Sequence, residues 1–352
     1  MRATTTLVLT AIFLGTTVSC TNGDVVTARR LQLPTQYSYG SLLWFPDGTL
    51  WIGAYNESQL DGFWYIDSSD NQLHQLPLNT TSECKRIDYP RAEVLPDGRL
   101  GIVQRCYHRW PDRPSPLGDE SYFVAYDVAT SSQEYLVDDP LLASDIGGNF
   151  TWNPTVTLGI QETMGLYGML YWLRPDGISP ITVTVGSGNQ AWALDENYVA
   201  VRDHLDMENT GVARAPAWSP DGQYIAFLAT SDAIGNGSPK RTDGEWQLYL
   251  MALDDITPRS LLGGIYQPTT MRWSPNGQWL AFLGQAGIWH KQGIWLYAPF
   301  TDTLHFVAQG EFGSMAWSPD SQMLVATTCT DDKCKQREVW EYDLGKIVQI
   351  GK

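Results

Sequence analysis

Basic residues are scarce in this chain: 23 Lys and Arg stand against 39 Asp and Glu, for a formal net charge of −16. A surface this acidic is repelled by phosphate backbones and by anionic bilayers, which proteins bind through Lys and Arg, so nucleic acid is not an expected partner. The signatures of several enzyme classes are missing as well. There is no G-x-S-x-G elbow, no H-E-x-x-H pair and no phosphate-binding glycine loop. Only five histidines are present, and no metal or other cofactor is expected. Charged residues make up just 18% of the chain, whereas Trp (15) and Tyr (17) are plentiful, which suits many short strands carrying large side chains better than a helical enzyme.

Long apolar runs are missing too, apart from Leu7 to Gly15, which is too short to span a bilayer as a lasting helix. Arg2 precedes that run and small polar residues follow it, the layout of an export signal. The stretch "TVSC" resembles a bacterial lipoprotein signal, with Thr17 where Leu is usual, and the resemblance implies that Cys20 becomes the lipid-bearing first residue. Plain secretion with cleavage just after Cys20 is the alternative. Residues 1–20 are therefore expected to be a signal peptide and 21–37 a linker or a closing strand, with the folded domain over 38–352. Any membrane contact is expected through the N-terminal lipid alone.

Either route leaves Cys84, Cys106, Cys329 and Cys334, an even number in an oxidising compartment, and two disulfides are expected. Cys329 and Cys334 sit in "TTCTDDKCKQR", between two strand-like runs, where a bridge pins a hairpin base. Cys84 and Cys106 then pair by elimination. A metal site at "CTDDKC" is the rival reading, but metal-type cysteine pairs usually lie closer together and come with further ligands.

One hairpin is written repeatedly: "SLLWFPDGTLWIGA" from Ser41, "RAEVLPDGRLGIVQ" from Arg91, "APAWSPDGQYIAFL" from Ala215, "TMRWSPNGQWLAFL" from Thr270 and "SMAWSPDSQMLVAT" from Ser314. In each, Pro presets φ, Asp or Asn accepts a local backbone hydrogen bond, and Gly supplies the positive φ that closes the turn. Ser321 replaces Gly in the last copy, so that turn is expected to be strained or differently shaped. Two further strands follow each hairpin, as in "EWQLYLMAL" with "PRSLLG" or "REVWEYDL" with "KIVQIGK". Four strands per unit of about 45–60 residues make the blades of a β-propeller. The expected fold is all-β, a six-bladed β-propeller of four-stranded antiparallel blades, with seven blades as the alternative. The register of the third blade is open between "NFTWNPTVTLGIQ" and "WLRPDGISPITVTV". "AWALDENYVAV" from Ala191 reads as an inserted hairpin or outer strands.

The "AWSPDGQYIAF" pattern with its following "LYL" strand resembles the WD-repeat-like blades of TolB-type propellers and the propeller domains of prolyl-oligopeptidase relatives, without room for the hydrolase domain of the latter. The resemblance implies an exported propeller, and in TolB itself a role in binding other envelope proteins. It transfers no ligand, because fold does not fix function.

In such blades the PDG turns share one face, and the loops between second and third strands share the other with the links between blades. That second face carries long polar loops, the usual seat of binding on a rigid scaffold. Arg105, His108, Arg109 and Trp110 form its densest group of cations and aromatics, suited to a carboxylate, a sugar or an acidic peptide. The bland reading of that group is a solvated loop whose arginines pair with Asp112 or Glu120. Trp289 and His290 form a smaller pair. His108, His204 and His290 share this face, but His108 and His290 belong to opposite sectors, too far apart for one metal ion. His74 and His305 fall in outer strands. Trp44, Trp152, Trp218, Trp273 and Trp317 read as wedges between blades, and Asp67, Asp127 and Asp343 as turn residues. The function expected is an exported, lipid-anchored binding or protein-interaction propeller, monomeric, whose partner is an envelope protein or a small polar or peptide ligand. The alternative is a propeller hydrolase or lactonase with carboxylates at the central channel, whose catalytic groups come from separate blades and leave no motif.

Overall fold

The computed structural model describes residues 16–21, 24–55, 64–76, 92–109, 117–137, 141–142, 149–162, 170–175, 177–180, 183–184, 191–192, 212–230, 245–254, 258–287, 290–331 and 336–350. These lie almost wholly in antiparallel strands and the turns that join them. Strands β1 (Thr16–Thr21) and β2 (Asp24–Arg30) come first in sequence but belong to the last sheet. The first sheet runs β3 (Ser38–Trp44), β4 (Leu50–Tyr55), β5 (Trp64–Asp67), β6 (Leu73–Gln75). The second runs β7 (Ala92–Val94), β8 (Leu100–Arg109), β9 (Leu117–Asp127), β10 (Ser132–Tyr135), with β11 (Leu141–Leu142) also paired to β9. The third comprises β12 (Phe150–Trp152), β13 (Gly159–Glu162), β14 (Leu170–Arg174) and β15 (Gly177–Pro180). A separate two-stranded ladder, β16 (Val183–Thr184) with β17 (Ala191–Trp192), holds the start of the "AWALDENYVAV" segment.

A seven-stranded path follows: β18 (Val212–Trp218), β19 (Tyr224–Thr230), β20 (Trp246–Ala252), β21 (Arg259–Trp273), β22 (Leu280–Ala286), β23 (Lys291–Ala298) and β24 (Thr303–Gln309). Within β21 the first half pairs with β20 and the second with β22, the change falling where Gly264 and Gln267 take positive φ. The last sheet contains β25 (Phe312–Trp317), β26 (Met323–Cys329) and β27 (Arg337–Asp343), and β2 completes it by pairing with β27. The "KIVQI" stretch, expected as that sheet's fourth strand, is instead the helix α1 (Gly345–Ile350). Asp343 Oδ1 accepts the Gly345 amide at 2.9 Å, and the helix turns Ile347 into the core, leaving the strand's place to β2.

The inner strands follow one another around an axis, β25 against β3, β3 against β7, β12 against β18, β18 against β21 and β21 against β25. Between the second and third sheets, Phe123 meets Phe150 and Trp152 edge-on at 5.3 and 6.1 Å. Ile52 and Ile66 of the first sheet share a core with Val325 and Val339 of the last, so the ring closes. Second strands such as β22 are buried on both faces because a neighbouring sheet covers each side, whereas the outer strand β10 is largely exposed.

The repeated turn explains itself at atomic level. Ser219 Oγ donates to Asp221 Oδ1 at 2.6 Å and accepts the Tyr224 amide at 2.9 Å, while Gly222 sits at φ +72°. Ser318, Asp320 and Ser321 repeat the pattern, with Ser321 held at φ +62°, so the turn keeps its shape and stores left-handed strain. Ser321 Oγ accepts the Asn276 amide of the neighbouring turn at 3.0 Å, a stitch that glycine lacks. The open register resolves in favour of "NFTWNP". Asn153 replaces the turn serine, accepting the Thr157 amide at 2.9 Å, and Val156 takes the glycine position at φ +55°. "RPDG" instead joins β14 to β15.

The tryptophans divide as their positions demand. Trp152, Trp218, Trp273 and Trp317 are buried, and Trp44 is half-buried. Trp273 Nε1 donates to Ala217 O at 3.1 Å and Trp317 Nε1 to Arg272 O at 3.3 Å, each indole bonding the preceding inner strand. Asp67, Asp127 and Asp343 accept turn amides just beyond their strands.

Candidate functional site

Each inner strand runs toward its turn proline, and the residue three places before that proline lines the axial cavity. In chain order these are Leu43, Glu93, Thr151, Ala217, Arg272 and Ala316. Four are apolar or hydroxylic, and two carry opposite charges. Glu93 and Arg272 meet on the axis, with Arg272 Nη2 at 3.7 Å from Glu93 Oε2. They line both axial cavities, each of about 470 Å³, one toward the turn face and one opening at the loop face.

The loop-face cavity is the more polar of the two. Arg214 is the third residue of β18, and its guanidinium lies 5.4 Å from the centre of the Trp246 ring, with Nε at 3.6 Å from Glu162 Oε1. Glu162 ends β13 and is buried; its Oε2 accepts the Ala215 amide at 3.0 Å and Asn149 Nδ2 at 3.0 Å, tying the third sheet to the inner strand beside it. Asn149 Nδ2 also donates to Thr269 O at 3.1 Å. Arg337 opens β27 and crosses Gly313: a Cβ there would fall 2.5 Å from Nη1, so only glycine lets the guanidinium lie this close to the backbone. The cavity thus gathers Arg214, Arg272 and Arg337 on one arc and Glu93 and Glu162 on the other.

Burial pushes the Glu93 carboxyl up to about 7, with Arg272 pulling the other way. Both ion pairs exceed hydrogen-bond distance, so the guanidiniums keep donors to spend. Arg214 Nε is buried and makes no hydrogen bond.

Among the described residues, none of those singled out from sequence lines this opening. Arg105, His108 and Arg109 lie on the far end of β8, whose ladder with β9 runs out to Arg109 opposite Leu117. The stretch of Arg105 to Arg109, expected in a loop, is thus a strand extension, and Cys106 stands opposite Glu120 within it. The side chains of these four, and all of Trp110, His204, Trp289, Cys84 and Cys334, lie outside the described residues. His290 is exposed in the turn between β22 and β23, at φ +45°, with Tyr266 edge-on at 4.8 Å. Cys20 lies in β1, its backbone opposite Val25, and Cys329 ends β26 opposite Arg337. His74 lies in β6, where it bonds Asp70 at 2.9 Å, and His305 lies in β24. Among the described residues, no three His, Cys, Asp or Glu side chains are grouped to hold a metal, and no helix is long and apolar enough to cross a membrane.

Glu93, Glu162, Arg214, Arg272 and Arg337 were not anticipated. Aligning the repeats on their prolines exposes Glu93 and Arg272 as the two charged exceptions at the axial position; nothing comparable marks the other three.

No protein-family model matches the chain, and no curated protein sequence does. Solved structures do. An oligogalacturonate lyase in complex with manganese aligns with TM-score 0.51 and 13% identity over 96% of this chain and 98% of its own. Oligogalacturonate lyase from Vibrio parahaemolyticus aligns with TM-score 0.51 and 10% identity over 94% and 97%. TolB from Acinetobacter baumannii aligns with TM-score 0.48 and 13% identity over 88% of this chain and 65% of its own. At such identities a likeness speaks for architecture alone and carries no ligand or activity across: this chain has a β-propeller fold.

Proposed function

We propose that the chain is an exported, lipid-anchored binding propeller whose partner engages the loop face around the axial opening. In this reading the seven-stranded path counts as two blades sharing β21, which brings the ring to six. Lipid at Cys20 tethers the domain next to its closing strand, and disulfides Cys84–Cys106 and Cys329–Cys334 brace the loop face. The partner is an envelope protein or a small polar or peptide ligand, met through the opening and the rim of Arg105, His108, Arg109, Trp110, His204, Trp289 and His290. The observation that carries the reading is the charged opening: five ionisable side chains from five strands converge on one cavity at the loop face.

The alternative, a hydrolase or lactonase, draws on Glu93, whose carboxyl near neutrality suits proton transfer. Against it, among the described residues the cavity offers carboxylates from two sheets, each facing an arginine, an arrangement that favours holding a ligand over breaking it.

A photo-crosslinking residue at His290, on the loop face, is expected to capture a specific partner in intact cells of the native host. The same residue at Asp47, exposed in a PDG turn on the opposite face, is expected to capture none. Those cells also yield the N-terminal peptide, expected to carry diacylglycerol on Cys20. Capture through Asp47 alone, or an N-terminus still beginning at Met1, overturns the proposal.

A further inference from the structure

The turn-face cavity has a different wall from the loop-face one. The prolines of all six inner-strand turns, from Pro46 to Pro319, line it, and two places before them stand tryptophans, Trp44 to Trp317, in every inner strand but the second, which has Val94. Proline carries no N–H, and Trp44, Trp273 and Trp317 spend theirs on the carbonyls of Gly48, Ala217 and Arg272, so these side chains offer the cavity rings rather than donors. The turns also interlock. A Cβ built on Gly98, Gly222 or Gly277 would fall 3.8, 2.9 or 3.9 Å from Pro46, Pro154 or Pro220 of the turn before it, and the Asn276 amide donates to Ser321 Oγ at 3.0 Å. A rim held this way is formed before any ligand arrives, which lowers the cost of binding. At about 470 Å³ the cavity is the size of a small-molecule site.

Its charged end is the pair Glu93 and Arg272. Arg272 Nη1 donates to Met271 O at 3.1 Å, while Nη2 stands 3.7 Å from Glu93 Oε2, beyond hydrogen-bond distance, so the guanidinium and the carboxylate each still take a partner. The two charges compensate each other. A ligand with a net charge would therefore lose its hydration with no opposite charge left to meet it. A carboxamide meets both groups without adding charge, its oxygen accepting from Arg272 and its N–H donating to Glu93. We propose that the turn-face cavity binds a compact, uncharged aromatic compound bearing a carboxamide, with its ring among the prolines and tryptophans and its amide on Glu93 and Arg272. This site is independent of the partner assigned to the opposite face. Glu93 faces Arg272 of β21 in both cavities and, in the loop-face one, Arg214 of β18, Glu162 of β13 and Arg337 of β27. Burial holds its carboxyl at about 7, so the pair is ionised on both sides at pH 8.5, and at pH 5.5 Arg272 loses this counter-charge.

Calorimetric titration of the full chain with benzamide, benzoate and benzylammonium tests this. At pH 8.5 benzamide is expected to bind with a dissociation constant of about 1 mM or lower and to outbind both charged analogues about tenfold or more. At pH 5.5 benzoate is expected to close that gap, because protonated Glu93 leaves Arg272 to it. In Glu93→Gln the ratio of benzamide to benzoate affinity is expected to be the same at both pH values. Ala316 lines this cavity and not the loop-face one, so Ala316→Leu is expected to abolish benzamide binding while the chain keeps its unfolding transition. Should Ala316→Leu fail to fold, the wild-type pH response and Glu93→Gln still decide the matter. The proposal is overturned if benzamide at millimolar concentration gives no heat, if either charged analogue binds as tightly at pH 8.5, if the wild-type ratio ignores pH, or if folded Ala316→Leu binds as the wild type does. Crosslinking through His290 reads partner binding on the other face, so a silent titration with intact crosslinks ends this proposal alone.

Discussion

A chain truncated to begin at Leu31 is expected to lose its cooperative unfolding transition, whereas one beginning at Asp24 keeps it. The difference is β2. Its ladder with β27 matches Thr27 to Asp343, Ala28 to Tyr342, Arg29 to Glu341 and Arg30 to Trp340. Val26 and Ala28 are buried in the last sheet's core with Leu324, Ala326 and Tyr342. Arg29 pairs with Glu341, and Arg30 with Glu338 at 3.1 Å. Burial of two apolar side chains and a ladder of backbone bonds together stabilise by roughly 5 kcal/mol, comparable to the whole margin of an ordinary domain. Removal also leaves β27 as a bare edge, inviting association between chains. Urea unfolding and size-exclusion chromatography of the two truncations check this. A well-folded monomer beginning at Leu31 would show that the ring closes without β2.

Gly293→Val is expected to cost about 3 kcal/mol or more, seen as a fall in urea midpoint at unchanged slope. Gly293 lies in β23 where the ladder to β24 shifts register after Ile294. A Cβ built there falls 1.9 Å from the carbonyl oxygen of Ala308 and 2.9 Å from the Phe306 ring. Backbone cannot swing aside as a flexible side chain does, so β23 and β24 must separate or the strand must slip. Slippage would also displace Trp295 and Phe306, whose rings lie 4.8 Å apart in a buried cluster. A variant as stable as the wild type would mean that β23 and β24 lie farther apart than described.

What the sequence shows of this fold depends on how local each signal is. The Ser–Pro–Asp–Gly turn is complete within four residues, and the strands around it can be read wherever those residues occur. The third unit hides because Asn153 and Val156 perform the same turn with different chemistry, and valine at positive φ is not a residue one searches for. "KIVQI" has a strand's composition, and its helical fate is decided by Asp343 capping it and by β2 already occupying the edge of β27, a contact spanning almost the whole chain. The site is harder still to read. Glu93 and Arg272 are unremarkable in their own copies and stand out only when the repeats are aligned on their prolines; that they meet is set by the ring. Arg214, Glu162 and Arg337 come from different positions of different sheets, with no shared spacing. None of the loop-face residues picked from local density of charge and aromatics is among the described residues that line the opening, and the charges within it are set by register.

The account turns on whether Glu93 and Arg272, far apart in sequence, meet on one axis. A double-mutant cycle measures it, with Glu93→Gln, Arg272→Gln and the pair compared by urea unfolding at pH 5.5 and pH 8.5. Because the native Glu93 carboxyl, at about 7, holds its proton more tightly than an unfolded one at 4.5, wild-type stability gains from this group at low pH and loses that gain as pH rises from about 4.5 to about 7. Glu93→Gln lacks that loss. The cycle is expected to show a coupling of about 0.5–1 kcal/mol at pH 8.5, where the carboxylate faces the guanidinium, and close to none at pH 5.5. Equal coupling at both values, or none at either, would mean the two side chains do not meet and the axial site is not assembled as described.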